Sequence, residues 1–392
     1  MTYESLKEKI ILEVEAHKQE LIKINDYLAD HPELSSEEYE SSKMLVDFLA
    51  LQGYRTEYPF AGIETAFRGI YGSNNHKYKV ALLTEYDALP ELGHACGHCL
   101  SGAMSVLAGL ALKDLQDELN TDIHIIGTPA EEDDGAKCAM TDQGIFDVYD
   151  MAIMIHLHNR NLAMPKLQAM GEYFYEFHGK AAHASDAPWE GKNALNALQL
   201  MLHAIDMMRQ HVKSEAQFHG VIINGGIYPN IVPEKAELHL FVRAGSKKYL
   251  EELVSLVDDC AAGAALATQT TWLKNPPEQT YYVDLRKNEE GELAIREVFE
   301  ELGIEENGNK DIYFGSSDVG NVSYACPAFQ PTLQVTDEAV THTREFEQAM
   351  KTDRAHNVLA LGAKLMAFDI AKIFNDERRI KKMKEDFLRS RV

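Results

Sequence analysis

Two cysteines and two histidines lie between His94 and Cys99, inside the stretch ELGHACGHCLSG that runs from Glu91 to Gly102. Thiolate and imidazole are donors for borderline and soft metals, and a C-x-x-C pair is also the unit of thiol–disulfide exchange. Three chemistries therefore compete: a redox dithiol of Cys96 and Cys99, a structural zinc knot, and one corner of a catalytic metal site. A dithiol needs only itself and leaves the chain's other acidic and histidine clusters unexplained. A zinc knot calls for a second ligand pair at similar spacing, which Cys138, Cys260 and Cys326 do not supply. Covalent haem attachment would need a histidine directly after the second cysteine, where Leu100 stands.

A catalytic site needs more ligands, and the sequence contains them. Cys96 and His98 are two apart, so in an extended loop their side chains point the same way and can share one ion. The adjacent Glu131 and Glu132 of PAEEDD point in different directions, leaving one to ligate and the other to act as a base on water. His156 and His158 flank the end of the apolar run MAIMIHLHN, and His342 precedes a helix in THTREF. Thiolate, imidazole and carboxylate together suit Zn²⁺ or Mn²⁺ better than Mg²⁺ or Ca²⁺. A lone histidine, or an EEDD turn, reads as structure or solvation; four such clusters at four element ends read as function.

The elements that must position them alternate. Residues 1–30 and about 37–52 read as helices, with Pro32 breaking the chain between them and Gly53 ending the second. TAFRGIYG and YKVALLTEY read as strands, SGAMSVLAGLALKDLQDEL as a helix, DIHIIG as a strand and MAIMIHLHN as one buried strand. Such alternation predicts an α/β sheet covered by helices on both faces, with functional residues gathered just past the strand ends. The pattern then changes. From 171 to 283 the order is β-α-β-β-α-β, the ferredoxin-like α+β unit, with helices at GKNALNALQLMLHAIDMMRQ and about 247–267. From 284 to 392 helix and strand segments return, including the strand-like AFQPTLQV and a last helix from about 344 to 374. We therefore expect a catalytic domain in two parts, 1–170 and 284–392, with a smaller domain inserted at 171–283. The basic tail RRIKKMKEDFLRSR reads as a solvated helix end or an interface element.

Bulk composition narrows the partners. At 392 residues two domains are expected, and a formal charge of −24, from 62 acidic against 38 basic side chains, disfavours nucleic acid and anionic membrane surfaces. No window approaches the roughly 18 apolar residues of a membrane span. The charged N-terminus lacks a signal-peptide core, and an odd, sparse set of five cysteines argues for a reducing cytoplasm.

LLTEYDALPELGHACGHCLSG, GTPAEEDDGAK, IMIHLHN, GKAAHASDAPWEGKNAL, YPNIVPEKAEL, SSDVGNVS and THTREF follow one another in that order, after HPELSSEEYESS. Over about residues 31–365 this closely resembles the two-metal aminoacylase/carboxypeptidase family of amidohydrolases. The branch it resembles is that of the p-aminobenzoyl-glutamate and indole-acetyl-amino-acid hydrolases. The resemblance implies a zinc-peptidase-like catalytic domain with a mixed sheet and an inserted lid and dimerisation domain. It implies hydrolysis of N-acyl amino acids, aminobenzoyl-glutamate-like compounds or dipeptides with two divalent ions, in a homodimer or higher homo-oligomer. Matched residue by residue, it implies Cys96, His98, Glu132, His156 and His342 as metal ligands and Glu131 as general base. Asp87 would orient the site, and His183 and Asn230 of the inserted domain would reach substrate. Ser317 and Asp318, in the SSDVG loop, are expected to shape the pocket; His158 has no assigned role and is a reserve ligand. One departure stands out: the branch usually has Asp or Asn after the ligand His98, and here it is Cys99, for which a small buried residue is the expected role. Two other function classes compete, a thiol-redox protein using Cys96 and Cys99 and a non-catalytic relative that keeps the fold without metal.

Overall fold

The computed structural model describes residues 1–275, 281–309, 313 and 315–390. The chain divides into two compact units, Met1–Lys166 with Leu285–Val392, and Leu167–Asp284.

The first unit opens with helix α1 (Tyr3–Asp30), whose Leu6, Ile10, Val14 and Leu21 recur on one face and are buried. Helix α2 (Tyr39–Leu51) and strands β1 (Arg55–Glu57), β2 (Phe67–Ile70) and β3 (Tyr78–Thr84) follow. Helix α3 (His98–Leu112) is apolar all round, and all of its residues are buried. Gly102 at the start of its second turn is required: a Cβ there would lie 2.2 Å from the carbonyl oxygen of Glu85, so only glycine lets α3 press against the end of β3. Next come α4 (Gln116–Leu119), the fully buried β4 (Thr121–Gly127), α5 (Ala136–Asp142), β5 (Met151–Ile153) and β6 (His156–His158). The single strand expected over MAIMIHLHN is thus two strands.

The second unit contains β7 (Ala169–His178), α6 (Ala194–Met208), β8 (Gln217–Asn224), β9 (Lys235–Ala244), α7 (Lys247–Thr268) and β10 (Thr271–Asn275). Its four-stranded sheet has the order β10-β7-β9-β8 with every neighbouring pair antiparallel, the ferredoxin-like arrangement. Strand β9 alternates strictly: Ala236, Leu238, Leu240 and Val242 are buried in one core with Leu198 and Met201 of α6 and Leu253 and Val257 of α7. Strand β8 is an edge of this sheet and leaves Val221, Ile222 and Ile223 exposed.

The chain re-enters the first unit through α8 (Glu289–Leu302) and α9 (Val319–Ala325), then β11 (Ala328–Phe329) and β12 (Thr332–Gln334). Strand β11 completes a six-stranded mixed sheet, β1-β2-β4-β3-β5-β11, parallel from β4 to β11. Strand β12 instead pairs with β6 in a two-stranded parallel ladder. The two breaks match: β5 follows β11 and β6 follows β12, and Pro331, which has no N–H to donate, lies between β11 and β12. The last expected helix is likewise divided, into α10 (Arg344–Gln348) and α11 (Asp353–Phe374), because Thr352 caps the latter by accepting from Ala355 N. The basic tail is not a solvated end. It forms α12 (Glu377–Arg389), with Ile380 and Met383 buried and Arg379 and Lys382 paired to Glu290 of α8.

Candidate metal centre

The parallel strands end together, with Thr84 of β3 opposite Gly127 of β4 and Leu82 opposite Ile153 of β5. The residues just beyond those ends, Glu85 and Asp87, Glu131 and Glu132, and His156, therefore converge at one edge of the sheet. Gly97, with φ of +83°, turns the chain into α3 between Cys96 and His98, and a Cβ there would press on Leu157 at 3.0 Å. The backbone N–H of His342 donates to the Ala95 carbonyl at 2.9 Å, which brings the C-terminal histidine to the same turn.

Two overlapping donor groups result. In the first, Cys96, His98 and His156 offer donor atoms within 4.8 Å of one another; in the second, Cys96, Glu132 and His342 do. Cys96 Sγ is common to both, 3.3 Å from Nε2 of His156 and 3.6 Å from Nε2 of His342. His98 Nε2 lies 3.9 Å from an oxygen of each of Glu131 and Glu132, and His342 Nε2 lies 3.6 Å from the other Glu132 oxygen.

The tautomers are fixed from behind. Asp87 Oδ1 accepts from Nδ1 of His98 at 2.8 Å, and the carbonyl of Leu157 accepts from Nδ1 of His156 at 2.8 Å. Each ring thus turns its Nε2 towards Cys96 or the carboxylates. Burial works against a charge on His98, but Asp87 and Glu85 outweigh it and raise the ring well above an ordinary imidazole. Its Nε2 lone pair is therefore free only when a cation takes the place of the proton. Asp87 Oδ2 in turn accepts from Glu132 N at 2.9 Å and from the Ser35 hydroxyl at 2.9 Å. Burial works against a charge on Asp87, but His98 and these donors outweigh it and hold the carboxyl well below the usual carboxylate range.

The donors fit a multivalent cation. Nε2 of His98, Oε1 of Glu132 and Oε2 of Glu85 are buried and make no hydrogen bond. A proton on His98 can balance Glu85, 3.3 Å away, and a divalent ion in its place would balance the carboxylates more fully. Burial lowers His156 to about 4, which keeps the imidazole neutral and able to ligate. Burial and Glu132 push the Cys96 thiol up, so a cation beside it is what would make it a thiolate. Burial and the neighbouring carboxylates, Glu132 foremost, raise Glu131 well above an ordinary glutamic acid. Cys99 is fully buried and burial pushes its thiol up to about 12, the state of an inert core thiol and not of a redox nucleophile.

Other expected residues lie elsewhere or differ in role. His158, two residues along β6, belongs to none of the metal-ligating groups among the described residues. Asp318, expected to shape the pocket and bind substrate, is fully buried, with one oxygen 2.8 Å from Nζ of Lys137 and the other accepting from Lys137 N. Ser317 is also buried, and its hydroxyl accepts from Val319 N. Asp318 thus stands behind the site, with a carboxylate oxygen within 4.8 Å of Glu85 and Glu131. In the second unit His183 and Asn230 sit on adjoining segments, Ala184 N donating to the Asn230 carbonyl at 2.9 Å and Val232 N to that of Ala182. Sequence reasoning missed Lys137, a buried ammonium that reads as a loop lysine in EEDDGAK. It also missed Glu38, whose carboxylate accepts from Ala130 N and Thr65 Oγ1. Ala130 has φ of +58°, and Glu38 pins that turn immediately before Glu131.

The peptidase dimerisation domain matches residues 167–268. A mouse Xaa-Arg dipeptidase is 31% identical over 98% of this chain and 92% of its own length. One of the chains of an Escherichia coli p-aminobenzoyl-glutamate hydrolase is 33% identical over 66% of this chain and 58% of its own. In fold, the chain is similar to a Bacillus subtilis dinuclear metal binding peptidase from the M20 family, with a TM-score of 0.73 at 17% identity, covering 92% of this chain and 99% of that one.

Proposed function

The chain belongs to the M20 family of metal-dependent peptidases and amidohydrolases, and from that premise we propose that it hydrolyses the amide bond of a dipeptide or an N-acyl amino acid, aminobenzoyl-glutamate-like compounds included. The observation that carries this is the convergence of two donor groups on Cys96 beside the buried Glu131. Cys96, His98, Glu132, His156 and His342 would hold two divalent ions, Zn²⁺ or Mn²⁺ by donor type, and such ions supply a lowered water pKa and a polarised scissile carbonyl. Glu131 takes the proton of the attacking water and delivers it to the leaving amine nitrogen. Asp87 keeps the lone pair of His98 Nε2 aimed inward throughout.

His183 and Asn230 are assigned to the substrate, the former to the carbonyl oxygen as it gains charge. The exposed apolar edge of β8 supports a homodimer formed by strand pairing across that edge. All five cysteines are free, which supports a reducing, cytoplasmic setting. No helix among the described residues is long and apolar enough to cross a membrane. Dipeptides lead the substrate screen because the mouse relative, matched along nearly all of this chain, is named for that activity. The test is Glu131→Ala, assayed on dipeptides and N-acyl amino acids with Zn²⁺ and Mn²⁺ added separately. We expect kcat to fall at least ~100-fold while metal content stays at the wild-type level. Near-normal turnover in this variant sinks the assignment.

A further inference from the structure

Behind the two donor groups lies a second layer of which the reaction above uses only Glu131. Glu85, Glu131 and Asp318 bring carboxylate oxygens within 4.8 Å of one another, all three buried. Lys137, itself fully buried, stands among them, its ammonium 2.6 Å from Oε1 of Glu85 and 2.8 Å from Asp318. Asp318 also accepts from the backbone N–H of Lys137, so the lysine is gripped at both ends of its side chain. The clamp fixes the rotation of the Glu85 carboxylate. One oxygen is held by Lys137, and the other, Oε2, faces His98 Nε2 at 3.3 Å. Neither Oε2 nor that Nε2 makes a hydrogen bond, although both are buried.

Charge points the same way. Glu85, Asp87, Glu131, Glu132 and Asp318 set five carboxyl groups around this pocket against the ammonium of Lys137 and the imidazole of His98. Even with His98 protonated, carboxyl groups outnumber cations there among the described residues. Buried charges persist when paired or bound to metal. Lys137 satisfies one oxygen of Glu85 and leaves the second directed at the ring that also faces Glu131 and Glu132.

We propose that Glu85, held in place by Lys137 and Asp318, is a further carboxylate of the metal centre, facing the ion of the Cys96, His98 and His156 group. This rests on the metal-site reading above and adds a residue to it. Lys137 is then a positioning residue: a permanent cation that prevents Glu85 from turning away.

The test measures metal, not turnover. Wild-type protein and Glu85→Gln are stripped, titrated with Zn²⁺ against a competing chelator, and reloaded with Co²⁺ to compare visible absorption. Glu85→Gln should weaken one of the two ions by about ten- to a hundredfold and leave the other unchanged, with an altered Co²⁺ spectrum. The metal-free melting temperature should fall, because Lys137 loses a charged partner, and affinities are compared below that transition. Wild-type affinity for both ions overturns the proposal, and so does equal weakening of both. If Glu85→Gln does not fold, Glu85→Asp keeps the charge next to Lys137 but shortens its reach, and is judged by the same outcomes. If the wild-type chain itself takes up no divalent ion, the functional reading fails, a result distinct from one in which only Glu85 proves irrelevant.

Discussion

The two donor groups that share Cys96 are built very differently. His98 and His156 lie inside the first unit, each with its ring fixed from behind, His98 by Asp87 and His156 by the carbonyl of Leu157. His342 is 54% exposed and has φ of +64°, a left-handed conformation that costs free energy for a residue with a side chain. Its backbone is anchored on Ala95 and its Nε2 faces Cys96 and Glu132, but among the described residues it has no partner behind the ring to match Asp87 or the Leu157 carbonyl. One group is thus assembled before any ion arrives, by carboxylate and carbonyl partners. The other is closed from solvent by a single strained loop residue. Preorganised donors bind tightly, and accessible ones can exchange ligands. On the proposed reading, the buried group would hold the more permanent ion and the His342 group would be the side open to substrate.

The largest effect should follow from breaking what the two groups share. Cys96→Ser removes the donor common to both, so metal content measured by elemental analysis should fall from two ions towards none, and activity with it. Cys99→Ser is the control. It buries a hydroxyl where a thiol was, costing about 1–3 kcal/mol of stability in a denaturant melt, with both ions retained. Equal metal loss in the two variants would revive the dithiol reading. A smaller and more selective loss should follow from His342→Ala, which touches only the exposed group: one ion lost, the other kept with wild-type affinity. Loss of both ions would show that the two groups are not separable as described.

The contrast between the groups also marks what the sequence could reveal. The clusters of thiolate, imidazole and carboxylate were legible as residue types at element ends, and the resemblance implied which of them would ligate. The structure brings Cys96, His98, Glu132, His156 and His342 within reach of one another. The ferredoxin-like order was legible because β9 and the two helices carry clean periods of 2 and 3.6. What holds the donors was not legible. Lys137 and Asp318 are charged residues in loop-like surroundings, and no local pattern says that a charge is buried when its partner lies 181 residues away. The break between β5 and β6 was hidden for a related reason, since it is set by the partner strand at Pro331 and not by MAIMIHLHN itself. Glu38 reads as a helix-start acid in SSEEYE, yet it braces the turn before Glu131, its Oε1 2.7 Å from the N–H of Ala130, 92 residues on.

The most graded test of the comparison acts on the support of the buried group and leaves every ligand in place. Asp87→Asn keeps the shape of the side chain but replaces an acceptor with a group that can present N–H to His98 Nδ1. That favours the tautomer with its proton on Nε2, where the ion would bind. The affinity of the buried group should therefore drop about ten- to a hundredfold, with the His342 group unchanged, as read by chelator competition. Ser35→Ala removes only one of the hydrogen bonds to Asp87, from a hydroxyl outside the ligand set. A single hydrogen bond to a charged group is worth about 1.5–3 kcal/mol, and only part of that reaches the ion through Asp87 and His98. Ser35→Ala should accordingly lower affinity in the same group and in the same direction as Asp87→Asn, but by less. If Ser35→Ala weakens the exposed group instead, the line from Ser35 through Asp87 to His98 does not support the buried ion. The asymmetry between the two groups would then need another cause.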